Sequence, residues 1–293
     1  MNAVVGIDSK ENYRPVMSML ARLAFPISST SLVHVADPNL PFSYSDWVDA
    51  GLQADYARAT NDQGLTVLGR ANHLALESNL QPKLKLIFGQ PAGMLISESE
   101  NEVADIVAVC AGQHGMWSTS YIGSVSRALA ISCRSSILIA KGPTRNEGPL
   151  NAVFATDHSA FAGECLNRFL YLNPKGIKHI HVVSAFKIDE RESKLLKEKF
   201  PEIGTDFAHC VQERVECNNT KICQKLTASG YETSSAAVRG NANDVIRLAM
   251  QNTRSDLVIV GSKGNGYSDR AIIGSVSLHQ VVAEPYPVLI VRP

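Results

Sequence analysis

Short apolar runs alternating with amphipathic stretches dominate this chain, and they are clearest in its second half. Ala152–Thr156 is a short apolar run, and apolar residues then recur at helical spacing from Ala160 to Leu172. Residues 178–183 read as a second strand. A charged helical stretch (Asp189–Phe200) precedes another helix near 207–228, where Phe207, Val211, Val215, Ile222 and Leu226 share one face. Thr233–Val238 reads as strand, Asn243–Asn252 as helix and Leu257–Val260 as a very apolar strand. A helix starting near Gly274 and a strand, Val288–Val291, complete the series. Strands this apolar, separated by helices, imply a parallel sheet covered on both faces, and right-handed crossovers make it doubly wound.

The pattern occurs twice. DIVAVC from Asp105 aligns with DLVIVG from Asp256, an offset of 151 residues. At that offset Gly123-Ser124-Val125-Ser126 falls on Gly274-Ser275-Val276-Ser277, Gly89 on Gly240, and SILIAKG (136–142) on PVLIVRP (287–293). VVGID (4–8) pairs with VFATD (153–157), and SLVHVAD (31–37) resembles IKHIHVVSA (177–185). An ordered series of this kind marks a tandem duplication. The expected organisation is one α/β domain over 1–142, a Gly- and Pro-bearing linker at 143–150, and a second α/β domain over 151–293.

Ligands of open α/β sheets sit beyond the carboxyl ends of the strands, where strand order reverses. In the second copy the loops there are Asp157-His158-Ser159 and Gly261-Ser262-Lys263-Gly264-Asn265-Gly266. Three glycines in six residues remove side-chain bulk that would hold a phosphate away from backbone N–H groups, and they permit positive φ. Lys263 adds a charge. Gly274-Ser275-Val276-Ser277 opens a helix whose N-terminus suits an anion, with the hydroxyls of Ser275 and Ser277 as further donors. Neither G-x-x-x-x-G-K-[ST] nor a G-x-G-x-x-G after the first strand occurs.

The spacing that does occur is Gly261-x2-Gly264-x9-Gly274-Ser275. With the Asp in ATD (Asp157), His181-Val182 in the second strand, DLVIVGSKG and the ending YPVLIVRP, it resembles the universal stress protein family, tandem type, across both copies. The resemblance implies five-stranded Rossmann-like sheets of order 3-2-1-4-5, paired by pseudo-twofold symmetry through the last strands of the two copies. It also implies ATP as ligand, with Mg²⁺ or Mn²⁺ as an optional companion. Thr156 and Asp157 would contact the adenosine end, and the Val182 backbone would address the base. Gly261, Ser262, Lys263 and Gly264 would approach ribose and phosphates, and Gly274, Ser275, Val276 and Ser277 would hold the phosphate tail.

The first copy departs from this motif. Cys110 replaces Gly261 and Gln113 replaces Gly264, with Met116 and Trp117 adding bulk. Side chains are therefore expected to take the ligand's room there, with a strain of about 1–2 kcal/mol if a non-glycine keeps positive φ.

Composition narrows the function classes. Lys plus Arg and Asp plus Glu both total 28, so no global field draws in nucleic acid or an anionic membrane. No apolar run reaches the roughly 18 residues of a membrane span. The start, MNAVVGIDSK, lacks the features of a secretory signal, so a cytoplasmic location is expected. The six cysteines form no CxxC pair, and His209, Cys210, Cys217 and Cys223 match no zinc spacing, so a structural helix face is expected there. Consecutive Asp157, His158 and Ser159 cannot line up as a triad, and no G-x-S-x-G elbow is present. The reading is a stress-response regulatory protein that binds ATP in its C-terminal domain, with at most slow hydrolysis. A scaffold without nucleotide is the alternative. Its protein partner and any homodimer stay open.

Overall fold

A computed structural model of the chain describes residues 1–10, 12–39, 50–78, 80–112, 122–142, 148–188, 207–264 and 273–293. The first half runs β1 (Asn2–Ile7), α1 (Arg14–Leu23), β2 (Ser29–Ala36), α2 (Ala50–Glu77), β3 (Lys83–Phe88), α3 (Pro91–Asn101), β4 (Ile106–Cys110), α4 (Ser124–Ser132) and β5 (Ser136–Ala140). The second runs β6 (Leu150–Ala155), α5 (Ala160–Leu172), β7 (Ile177–Phe186), α6 (Phe207–Ala228), β8 (Glu232–Arg239), α7 (Ala242–Thr253), β9 (Leu257–Gly261), α8 (Ser275–Ala283) and β10 (Val288–Val291). The elements expected in the second copy are present, the first strand beginning at Leu150 within the expected linker. The charged stretch 189–200 lies outside the described residues.

Each half has strand order 3-2-1-4-5. The two do not remain separate sheets: β5 and β10 pair antiparallel, Leu138 opposite Leu289, giving one ten-stranded sheet of order β3-β2-β1-β4-β5-β10-β9-β6-β7-β8. All other strand pairs are parallel. Because side chains alternate across a strand, the core forms two layers, each running through both halves. Val5, Leu32, Ile106, Leu138, Phe154, Val182, Ile259 and Leu289 lie under α1, α2, α5 and α6. Val4, Val33, Val107, Ile137, Val153, Val183, Val258 and Ile290 lie on the opposite face, under α3, α4, α7 and α8.

Polar contacts cross between the halves in mirror fashion. Arg168 on α5 pairs with Asp105 at 2.8 Å, and Arg22 on α1 faces Asp256 at 3.8 Å. Each aspartate also accepts an amide from the first strand of its own half, Asn2 N–H at 2.7 Å and Asn151 N–H at 3.0 Å. Two carboxylates thus register the strand ends and anchor the neighbouring half.

The turn before β7 docks tightly on α1: Gly176 N–H donates to the Leu23 carbonyl at 2.9 Å. A β-carbon at Gly176 would fall 1.6 Å from the Arg22 carbonyl oxygen. Overpacking typically costs about 1–3 kcal/mol, and here the obstacle is backbone. Gly176→Ala is therefore expected to lower stability by about 3 kcal/mol, read as a fall in the urea midpoint. A loss below about 0.5 kcal/mol, the range of ordinary surface changes, would mean that this contact yields freely.

Candidate functional site

At the carboxyl ends of β6 and β9, where strand order reverses, a cavity of about 320 Å³ opens on the α7–α8 face. Its wall is apolar: Ala155 from β6, Val183 and Ala185 from β7, Val260 from β9, and Ala242 and Ile246 from α7. Its rim carries Thr156, Asp157, Gly261, Lys263, Gly264, Gly274, Ser275, Val276 and Ser277. Nine of the residues singled out from sequence therefore meet at one opening.

Two others do not. Ser262 is buried beneath the turn, its N–H donating to Val291 O at 3.2 Å and its carbonyl accepting from Gly274 N–H at 2.6 Å. Val182 lies in the core layer on the other face, and Val183, one residue on, is the β7 residue that lines the cavity. Strand alternation turns the Val182 side chain away from the cavity and leaves its backbone as the part of that residue that could address a ligand.

Other roles shift too. Ser277 Oγ donates to Gly261 O at 2.5 Å, and Ser126 Oγ makes the corresponding bond to Cys110 O at 2.8 Å. That hydroxyl ties the helix start to the strand end. Leu278 N–H makes the first bond back into α8, to Gly274 O, so the N–H groups of the first turn precede any intrahelical acceptor and suit an anion. Gly261, Gly264 and Gly274 do not have positive φ. Gly264 matters by bulk, because a β-carbon there would lie 2.8 Å from Asp157 Oδ2. Asn265 and Gly266 lie outside the described residues.

The Asp157 loop is held by a buried relay. Asp157 Oδ1 accepts Ser159 N–H at 3.0 Å, and Ser159 Oγ caps α5 by accepting Ala162 N–H at 3.1 Å. His158 has φ +58, a costly backbone for a non-glycine, and its ring turns the other way. Its Nε2 lies 3.0 Å from Ser184 Oγ, which donates to Asn219 Oδ1 at 2.7 Å, and Asn219 Nδ2 donates to Ala236 O at 3.0 Å. With Asn219 as the acceptor, Ser184 receives its bond from the imidazole. Burial, opposed by Asp157, pushes the His158 pKa below its ordinary value. Asp157, His158 and Ser159 each have a separate structural partner, so they do not form a triad. Sequence reading missed Ser184 and Asn219. A buried Asn on an otherwise amphipathic helix was the available signal.

The first half holds an equivalent cavity of about 330 Å³, lined by Gly6, Asp8, Val33, Val109, Gly123 and Ser124 among others. Cys110 is among the residues that line this cavity. Its thiol lies on the α1 side, against the Val16 backbone, where burial pushes its pKa up to about 12. Cys110 also has no positive φ, so the anticipated strain does not arise. Gln113, Met116 and Trp117 lie outside the described residues. In the second half the sulfur comes from the helix: a β-carbon at Gly261 would lie 3.0 Å from Cys165 Sγ. Strand and helix exchange which side fills the same gap.

Helix α6 spans the predicted 207–228 region. Cys210 and Cys217 are exposed on it and Cys223 is partly buried. Among the described residues no three His, Cys, Asp or Glu gather to hold a metal ion, and no helix is long and apolar enough to cross a membrane.

The universal stress protein family model matches residues 152–292. Residues 152–292 form a universal stress protein domain. A universal stress protein from Archaeoglobus fulgidus DSM 4304 is 18% identical, covers 99% of this chain and 98% of its own, and superposes with a TM-score of 0.67. A functionally unknown protein from Pseudomonas aeruginosa PAO1 is 14% identical over 100% of this chain and 92% of its own, with a TM-score of 0.61. These likenesses show that the fold of both halves is shared. A universal stress protein family protein from Arabidopsis thaliana, solved with AMP bound, is 13% identical over 49% of this chain and 92% of its own, with a TM-score of 0.36. No match is found among curated proteins.

The exchanged sulfur gives a double-mutant test. Gly261→Cys alone sets two thiols against each other in the universal stress protein domain and is expected to cost about 1–3 kcal/mol. Adding Cys165→Ala should recover at least half of that loss. Thermal unfolding of the two singles and the double reads the coupling. Strict additivity would place the Gly261 direction elsewhere.

Proposed function

We propose that the chain is a stress-response regulatory protein that binds ATP in its C-terminal half. The observation that carries this reading is the convergence, on one cavity, of Asp157, the Gly261–Gly264 turn and the N-terminus of α8. An apolar slot with a few directed polar groups suits a planar base, and about 320 Å³ falls within the usual range for ligand sites. Val183, Ala185 and Ile246 would face the base, and the Asp157 carboxylate would accept from a ribose hydroxyl. The backbone of the turn and of Ser275–Ser277 would take the phosphates. Lys263 Nζ, 5.9 Å from the Phe161 ring centre, would swing from that ring to the phosphate tail. Mg²⁺ or Mn²⁺ would arrive with the triphosphate rather than on a protein-only ligand set.

Occupancy would change the Gly261–Gly264 turn and the start of α8, and so the surface offered to a protein partner. The same reading keeps the two halves together in solution through β5 and β10. Covalent linkage sets a partner concentration of about millimolar order. The reading places the protein in the cytoplasm.

Equilibrium dialysis decides the central point. ATP uptake with a Kd in the micromolar range, about −8 kcal/mol, is expected, and absence of uptake at millimolar ATP sinks the reading. Gly264→Val, which drives the Asp157 carboxylate from its place, should weaken binding at least tenfold, about 1.4 kcal/mol. Unchanged affinity in that variant would move the site elsewhere.

A further inference from the structure

The cation after each half's last strand crosses into the other half. Lys141, 6% exposed, donates from Nζ to the carbonyls of Gln280, Val281 and Glu284, at 2.9, 2.6 and 2.7 Å. Gln280 and Val281 belong to the last turn of α8 and Glu284 is its C-cap. Arg292, at the position equivalent to Lys141, is 5% exposed and donates from Nη2 to the Ala130 carbonyl near the end of α4. Orphan carbonyls at a helix C-terminus carry partial negative charge, so a buried cation there fixes both the position and the direction of the helix.

The opposite ends of these helices face the cavities. Ser275 and Val276 of α8 line the C-terminal one, and Ser124 and Val125 of α4 the N-terminal one. Both helices are nine residues long, so little more than two turns separate cation from cavity. They also pack against each other.

We propose that Lys141 and Arg292 are positioning residues, each lent by one half to the anion-facing helix of the other, so that neither cavity is fully built by its own half. The part concerning ATP rests on the nucleotide reading above. The two caps are unequal. Lys141 engages three carbonyls, whereas Arg292 Nε and Nη1 are buried with no hydrogen-bond partner among the described residues. The helix of the proposed ATP site therefore has the fuller cap.

The charge state of Lys141 matters. Three carbonyls at these distances use the three donors of an ammonium, and a neutral amine supplies two. Burial lowers the Lys141 pKa to about 7, opposed by Glu284. Glu284 is itself held by His279 at 3.3 Å and Arg247 at 3.6 Å. Arg22, Arg254, Asp256 and Tyr286 line the adjacent seam. Raising pH through about 7 removes one donor from the cap. An arginine keeps its charge throughout, and Arg292 shows that a guanidinium fits the mirror place.

The test compares full-length wild type, Lys141→Met and Lys141→Arg. In protein without nucleotide, amide hydrogen exchange over 274–283 should rise at least tenfold in Lys141→Met, including the first turn at 274–278. Exchange over 150–186 should be unchanged, and Lys141→Arg should restore wild-type rates. Exchange gained only over 280–284 would overturn the proposal, because the cap would then act locally. The mirror variant Arg292→Met should loosen 123–132 and spare 274–283, which keeps the idea testable should Lys141→Met fail to fold. With ATP, Lys141→Met should bind about fivefold more weakly. The ratio of wild-type to Lys141→Arg affinity should fall as pH rises through about 7, whereas a flat ratio would overturn the role of the lysine charge. Absence of ATP uptake by wild type would defeat the nucleotide reading alone, with the exchange comparison still deciding the positioning claim.

Discussion

The antiparallel ladder between β5 and β10 is the constraint on which the rest of this architecture depends. SILIA and VLIV are buried along their whole length. Either one left at the margin of a five-stranded sheet would present an apolar edge with unpaired backbone groups, the arrangement that proteins cover or close. Pairing them removes both edges at once and leaves β3 and β8 as the outer strands. It also makes each core layer continuous, so a helix in one half rests on a surface that extends into the other. The crossed ion pairs, Arg168 with Asp105 and Arg22 with Asp256, follow from that geometry. An approximate twofold axis through the ladder brings the start of each half's fourth strand beside the other half's first helix.

From the ladder outward, strand order determines where chemistry can occur. With β6 beside β9, the loops carrying Asp157 and Gly261–Gly264 must rise next to one another, and α8 begins against both. The same applies to β1, β4 and α4, so the first half builds a cavity of similar size although its motif has diverged. A motif can thus change without the space closing. Whether a replaced glycine matters depends on which face its new side chain enters, and Cys110 enters the α1 face.

Much of this was legible in the chain. The short apolar runs and the helical periodicity located the strands and helices of the second half within a few residues, and the internal repeat carried the result to the first. The adjacency of Asp157 and Gly261 followed from strand order. Two kinds of information were not legible. One was the facing of residues at strand ends: Val182 and Val183 are both apolar, both buried and adjacent, so composition does not say which looks into the cavity. A glycine gives even less, having no side chain whose polarity reports its face, so the chain does not reveal that a β-carbon at Gly261 would meet Cys165. The other was partnership across the duplication. Lys141 and Arg292 occupy equal positions after equal strands, but one copy alone supplies no reason for a buried cation there.

Buried polar groups give the strongest account of why the two halves belong to one functional unit. An apolar seam can slide or loosen with little penalty per contact, because dispersion is non-directional. An ammonium inside the seam cannot, since each of its donors must find an acceptor or leave a desolvated charge. The acceptors here are carbonyls that α8 exposes only at its end and only in one orientation. A position for that end is also a position for the other end, because an α-helix of nine residues is stiff on the scale of its own length. The registration of a cavity in one half is therefore set, through a short rigid rod, by a residue of the other, and duplication becomes a structural requirement of the site rather than a repetition of it.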